Sequence, residues 1–288
     1  MRAFLLLLAL LFGLSNATAA PMERDLAYGS HPRQRLDLSV PEAKEFPTVV
    51  FVHGGSLATG DKADEDYRQV CRAFPAAGIA CANVNYRLAS DAGWPAQAED
   101  VAAAVAWCRA HIAERGGDPQ RLYLVGHSSG AMLVALVGTD GSYLAKHKLD
   151  MAALSGVVPM GSIMWDEEAE GVLKTHPREE VAAAFQRSPD NRMFASLDAY
   201  LDHWPIRHVH AGLPPFLFLV AEAEQEHPPV LHTNRTFVER ARALGNRADL
   251  IVLPHRTHMS VIRGVHVEGD AVFAILRDFV QGKQRAPH

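Results

Sequence analysis

Gly126-His127-Ser128-Ser129-Gly130 sets a serine inside the pattern Gly-x-Ser-x-Gly, directly behind the apolar stretch Leu122-Tyr123-Leu124-Val125. A serine hydroxyl is a weak nucleophile in water. To attack a carbonyl carbon it must be lifted off the backbone, set beside a base, and faced with amide N–H groups that take up the charge developing on the carbonyl oxygen. The flanking glycines permit the sharp strand-to-helix turn that does the lifting. The partners of such a serine follow in the order acid, then histidine. Glu224 comes a short loop after the apolar Phe216 to Val220, with Glu222 and Glu226 as competing carboxylates, and His258 sits just beyond Leu250 to Leu253. Imidazole titrates near neutrality and so can take the serine proton and return it to a leaving group. A carboxylate beside it fixes the tautomer and stabilises the imidazolium. His53-Gly54-Gly55-Ser56 follows a third apolar run, and the N–H groups of Gly54, Gly55 and Ser129 are the candidate oxyanion donors. His255 is a second base candidate. His127 is expected to pack or hydrogen-bond within the turn, and His53 to order the oxyanion loop.

These residues can meet only if the elements carrying them end on one edge. Arg35 to Val40 alternates like a half-buried strand suited to a sheet edge, while Pro47 to Val52 is a near-continuous apolar run suited to a sheet centre. A helix over Asp64 to Gly78 leads to a strand at Ile79 to Val84, and Pro95 opens a long helix ending near Gly116-Gly117. Arg121 to Val125, Ala152 to Val158, Pro214 to Val220 and Leu250 to Leu253 read as further strands, with a helix over Val230 to Leu244. Repeated strand-helix alternation predicts an α/β fold, a mostly parallel doubly wound sheet with helices on both faces. Met160 to Pro205 carries helical patterns and no strand, which predicts an insertion, about 160–205, above the carboxyl edge. Trp165 and Trp204 within it could line an acyl or aromatic site, packing of the insertion onto the core being the preferred reading. Asn85, Tyr86 and Arg87 read as structural.

With 288 residues, 48% hydrophobic and 21% charged, the chain has ordinary globular composition and length for one large domain over 21–288. A net charge of -5 without a basic stripe implies no nucleic-acid partner and no anionic-membrane partner. Arg2, the apolar run Ala3 to Leu14 and the small residues up to Ala20 form a secretory signal peptide pattern over 1–20, too short to span a bilayer comfortably. Cleavage near Ala19 or Ala20, periplasmic or secreted location, and no stable membrane insertion afterwards are therefore expected. Cys71, Cys81 and Cys108 do not form a disulfide framework. A Cys71–Cys81 bridge is open to an exported chain, buried free thiols being the preferred reading. His208-Val209-His210 has chelating spacing but no acidic or thiol partners around it, so no metal or cofactor is expected.

His53-Gly54-Gly55, Asn85-Tyr86-Arg87-Leu88, Trp94 to Asp100, Asp118-Pro119-Gln120-Arg121, Gly126 to Gly130 and Gly212 to Phe216 resemble, in content and order, the esterase and lipase branch of the α/β-hydrolases. The pattern is close to the hormone-sensitive-lipase-like and kynurenine-formamidase-like groups, over most of the chain from about Thr48. The resemblance implies an α/β-hydrolase fold with a helical cap, ester hydrolysis on small or medium acyl substrates through an acyl-enzyme, and His258 over His255 as the base. The same machinery also fits an arylformamide, a peptide or a carbohydrate-linked acetate, or a non-catalytic ligand-binding relative. Two departures stand out. Ser56 replaces the third glycine many relatives carry, and Ala221 and Glu224 stand where relatives usually have glycine and aspartate.

Overall fold

A computed structural model describes residues 22–188, 193–225, 230–267 and 269–283. Residues 1–20, where a signal peptide is expected, and Glu226 lie outside the described residues. Strands β1 (Glu23–Ala27), β2 (Arg35–Ser39) and β3 (Phe46–Val52) precede α1 (Glu65–Ala73), β4 (Ala80–Val84) and α2 (Ala96–His111). Then come β5 (Gly117–His127), α3 (Ser129–Val137), α4 (Gly141–Ala145) and β6 (Gly156–Met160). The helices α5 (Glu167–Thr175), α6 (Arg178–Phe185) and α7 (Leu197–Asp202) lead to β7 (Phe216–Ala221), α8 (Val230–Ala243), β8 (Ala248–Leu253), α9 (Ser260–Arg263) and α10 (Ala271–Val280). Among the described residues, eight strands form one sheet in the order β1-β2-β4-β3-β5-β6-β7-β8. β2 is antiparallel to both neighbours, and β3 to β8 run parallel.

The apolar runs are continuous because both sheet faces are covered. Val50 and Val52 of β3, Leu122 and Leu124 of β5, and Phe216 and Phe218 of β7 point to one core, with α2, α3 and α8. Val49, Phe51, Tyr123, Val125, Leu217 and Leu219 point to the other, with α1 and α10. A smaller cluster of Phe185, Phe194, Leu197 and Leu201 holds α6 and α7 together above the sheet, with Trp94 packed against it. Among parallel strands the carboxyl ends share one edge, so the loops after β3, β5, β6, β7 and β8 converge.

Three expectations change. β2 is not the edge: β1 pairs outside it, with Leu26 opposite Leu36 and Ala27 opposite Arg35, so β2 is buried from Leu36 onward. The strand read from Ala152 begins only at Gly156, because the Asp150 carboxylate accepts the Ala152 N–H at 3.0 Å and turns Met151–Ala153 into one turn of 3-10 helix. Cys71 and Cys81 are bonded rather than free. Cys71 lies on the buried side of α1 with Tyr67 and Val70 and meets β4 with a Cα–Cα distance of 5.2 Å, within disulfide reach. Cys108 remains a buried free thiol, its pKa pushed up to about 12 by burial.

Candidate active site

The turn between β5 and α3 has no room for side chains beside its serine. A Cβ on Gly126 would stand 2.2 Å from the Gly130 carbonyl oxygen, and one on Gly130 would stand 2.3 Å from that of Val52 and 2.4 Å from that of His53. Ser128 itself takes φ 56° and ψ -128°, a conformation costing roughly 1–3 kcal/mol for a residue with a Cβ. Its N–H donates to the Met160 carbonyl at 2.9 Å and its carbonyl accepts from Ala131 at 2.8 Å. Burial of α3 from Gly130 to Val137 holds this turn in place.

Glu224 lies in a single 3-10 turn, Glu222–Gln225, immediately after β7. Its Oε2 accepts the Ala221 N–H at 2.8 Å, and its Oε1 stands 2.6 Å from Nδ1 of His258. The carboxylate is buried while the imidazole is 43% exposed, so the acid is fixed and the ring faces an accessible space. With Nδ1 paired to Glu224, Nε2 is the nitrogen left for proton exchange. Glu222 is engaged elsewhere: its Oε2 accepts the His255 N–H at 2.7 Å, and the His255 side chain is 93% exposed.

Two residues hold these groups together, and no local pattern marks either role beyond a glycine following a strand. Met160 supplies the carbonyl that fixes Ser128, and Gly161, at φ 65°, passes so close that a Cβ there would be 2.7 Å from Glu224 Oε1 and 3.2 Å from His258 Nδ1. The dipeptide at the end of β6 therefore touches all three candidate groups. His127 adds a further tie, its Nε2–H donating to the His258 carbonyl at 2.8 Å while the two rings lie 4.6 Å apart. Burial lowers the His127 pKa to about 4, so it is neutral at pH 7 and able to accept a proton only in acid.

The loop after β3 is equally tight. Gly55, at φ 120°, would clash with the Thr59 carbonyl at 2.2 Å if it carried a Cβ. Ser56 and Leu57 follow at φ 53° and 61°, so Ser56 occupies a left-handed position that the third glycine of many relatives would take without strain. His53 is wholly buried, stacked 4.5 Å from Tyr86, and its Nδ1–H donates to the Gly54 carbonyl at 2.7 Å. Burial lowers its pKa to about 4, which keeps it a neutral donor. The Leu57 N–H donates to Ser129 Oγ at 3.3 Å, joining this loop to the turn that carries Ser128. Tyr67 of α1 was not anticipated: a Cβ on Gly54 would stand 2.7 Å from Ser128 Cβ and 3.1 Å from the Tyr67 phenol oxygen. Asn85 and Arg87 act as loop anchors, Asn85 accepting from Lys62 N at 2.6 Å and Arg87 gripping the buried Asp100 carboxylate at 2.6 Å.

Beside Ser129 opens a cavity of ≈ 270 Å³ lined by Leu57, Met132 and Ile163 together with Phe194, Tyr200 and Trp204. Trp204 thus lines the cavity as well as packing on the core, whereas Trp165 packs against His232 and the core.

Residues 36–230 match the family model BD-FAE. The chain is 30% identical over 249 residues to Esterase LipC of Mycobacterium tuberculosis, covering 82% of this chain and 59% of that protein. It is 25% identical to the probable isoprenylcysteine alpha-carbonyl methylesterase ICMEL1 of Arabidopsis thaliana, over 82% of this chain and 51% of that one. The chain thus spans between one half and three fifths of the length of these relatives. Among solved structures, a truncated carbohydrate esterase from gut microbiota superposes with a TM-score of 0.71 at 19% identity, over 93% of this chain and 98% of that one. Thermogutta terrifontis esterase 2 phosphoramylated by tabun does so with 0.71 at 23% identity, over 91% and 94%. These likenesses establish an α/β-hydrolase fold, and the family-model match over 36–230 places the chain in the BD-FAE family.

Proposed function

We propose that this protein is a serine carboxylic-ester hydrolase for small to medium acyl esters, with Ser128 as nucleophile, His258 as base and Glu224 as its orienting acid. The observation that carries the reading is the 2.6 Å contact between His258 Nδ1 and Glu224 Oε1, at the edge where the strained Ser128 turn also ends. His258 Nε2 takes the Ser128 proton as Oγ attacks the ester carbonyl. The N–H groups of Gly54, Gly55 and Ser129 receive the oxyanion, each such donor contributing about 3–4 kcal/mol to the transition state. Collapse expels the alcohol, protonated by His258, and leaves an acyl-Ser128 that water hydrolyses by the same steps in reverse order. Relatives named esterase and methylesterase support an ester as the bond cleaved, and the small cavity beside Ser129 supports a modest acyl group. Export fits the same reading, since the Cys71–Cys81 bond suits an oxidising compartment.

One relative, the gibberellin receptor GID1 of Oryza sativa, is named for binding rather than hydrolysis, at 25% identity over 262 residues. A ligand-binding role is the second reading. Hydrolysis of p-nitrophenyl acetate by the mature protein, lost in Ser128→Ala, supports the enzyme; turnover equal in both proteins excludes Ser128 chemistry. Initial rates on matched ester, anilide and formanilide substrates separate an esterase from an amidase or formamidase.

A further inference from the structure

The oxyanion loop is clamped from outside the 36–230 family match, by the segment between β1 and β2. Arg33 reaches across to the far end of the loop. Its Nη2–H donates to the Gly60 carbonyl at 2.7 Å and its Nε–H to the Tyr86 carbonyl at 2.9 Å, while Nη1 stands 3.4 Å from Asp61 Oδ2. Gly60 is the contact that matters. At φ 96° its α-carbon faces the His53–Gly54 hydrogen bond so closely that a Cβ would stand 2.4 Å from the Gly54 carbonyl oxygen and 2.7 Å from His53 Nδ1. The Gly54 carbonyl belongs to the peptide whose N–H is that of Gly55, so its rotation sets where that N–H points. Tyr86, the second carbonyl that Arg33 holds, stacks on His53 and donates its hydroxyl to the His53 carbonyl at 3.2 Å. The next residues are tied down as well: Lys62 Nζ donates to Asp37 at 2.6 Å and to Asp25 at 2.8 Å, and Asp61 Oδ2 accepts from Asn85 at 2.8 Å. These anchors fix the loop's exit; among the described side chains it is Arg33 that bonds to the carbonyls of both Gly60 and Tyr86, which pack with Tyr67 around His53 and Gly54.

We infer that Arg33 is a positioning residue for the oxyanion hole, holding the 54–55 peptide in its catalytic orientation through Gly60 and Tyr86. It touches no reacting atom. A guanidinium suits the task because its planar fork serves two carbonyls in fixed directions, which an ammonium cannot do. The inference rests on the esterase reading, and its test separates the two.

Arg33→Ala and Arg33→Lys are compared with wild type on p-nitrophenyl acetate, with Ser128→Ala as the control for the reading itself. Arg33→Ala should lose 10- to 100-fold in kcat with KM within twofold, and its affinity for a boronic acid that forms a tetrahedral adduct should fall by a similar factor. Arg33→Lys should recover part of kcat, and millimolar guanidinium should restore Arg33→Ala in a saturable manner. A folded Arg33→Ala with kcat within twofold of wild type overturns the inference, as does a loss shared equally between kcat and KM without rescue. If Arg33→Ala does not fold, Arg33→Lys decides by the same kcat criterion, a loss of at least threefold at unchanged KM being required. If wild type hydrolyses no ester, the esterase reading fails, and amide hydrogen exchange tests the clamp alone: faster exchange in the variant confined to 53–62 supports it, and unchanged exchange there overturns it.

Discussion

Replacing Gly161 with alanine should uncouple catalysis from stability in a way that exposes the packing around Glu224 and His258. The backbone at φ 65° is left-handed, so a Cβ there costs about 1–2 kcal/mol whatever surrounds it. Gly245, at φ 82°, has nothing within 4 Å of a built Cβ and provides the matched control. Backbone strain alone should cost both alanine variants about 1–2 kcal/mol, roughly 2–4 °C in Tm for each kcal/mol, and the crowding at Gly161 adds to that loss. At Gly161 the methyl also meets Glu224 Oε1 at 2.7 Å and His258 Nδ1 at 3.2 Å. To restore ordinary contact at 3.4 Å the carboxylate must give by about 0.7 Å. Displacing catalytic groups by about 1 Å is worth on the order of 100-fold, so kcat should fall about 10- to 50-fold in Gly161→Ala and stay within twofold in Gly245→Ala. Urea denaturation and steady-state hydrolysis of p-nitrophenyl acetate read the two quantities separately. Equal kcat in the two variants would refute the reasoning, because crowding against Glu224 and His258 is present at Gly161 and absent at Gly245.

Glu224→Gln should keep the fold and lower kcat by about 10³- to 10⁴-fold, since a neutral amide neither fixes the tautomer nor stabilises the imidazolium. Glu222→Gln should leave kcat within about threefold of wild type; the reverse ranking would move the acid to Glu222. His53, His127 and His203 are each held by burial near a pKa of about 4, against 6.5 unperturbed. Their folded pKa values are depressed, so the unfolded chain binds more protons between these limits. Their stabilising contribution is complete above pH 6.5 and lost as pH falls towards 4, with about 2 kcal/mol gone per histidine at pH 5. Denaturation at pH 8 and pH 5 checks this, and His203→Gln should flatten the pH dependence; an acid loss unchanged by that substitution counts against burial as its cause. The Cys71–Cys81 bond closes a loop of sequence separation 10, and Cys71→Ser with Cys81→Ser should cost about 2–3 kcal/mol. Alkylation of the unreduced, denatured protein should modify Cys108 alone, and three modified thiols would show the bond is absent.

Legibility followed burial and local chemistry. The central strands β3 and β5 were readable because both faces are covered, which leaves uninterrupted apolar runs. β1 was not: Glu23-Arg24-Asp25-Leu26-Ala27 carries mostly polar residues, since as an edge strand it pairs on one side only. α10, with Val272, Leu276 and Phe279 on its buried side, is a helix beyond the last strand that the strand-helix alternation of the sheet does not require. Ser128 and the glycines at 54 and 55 were visible because the turn and the oxyanion loop dictate residue types locally. The sequence favours Glu224 as the candidate acid with Glu222 and Glu226 competing, because carboxylates at alternate positions after a strand look alike until the 3-10 turn sets one beside His258. Gly161, Tyr67 and Arg33 owe their places to approaches between segments remote in sequence. No local pattern encodes those.

The central claim is that Ser128 is the activated nucleophile, and covalent labelling tests it most directly. A fluorophosphonate added to the folded protein should form a single adduct mapped to Ser128 by peptide mass spectrometry, abolish ester hydrolysis in proportion to labelling, and fail to label Ser128→Ala. Hydrolysis that persists while Ser128 stays unmodified, or an adduct on another residue that accounts for the lost activity, would contradict it.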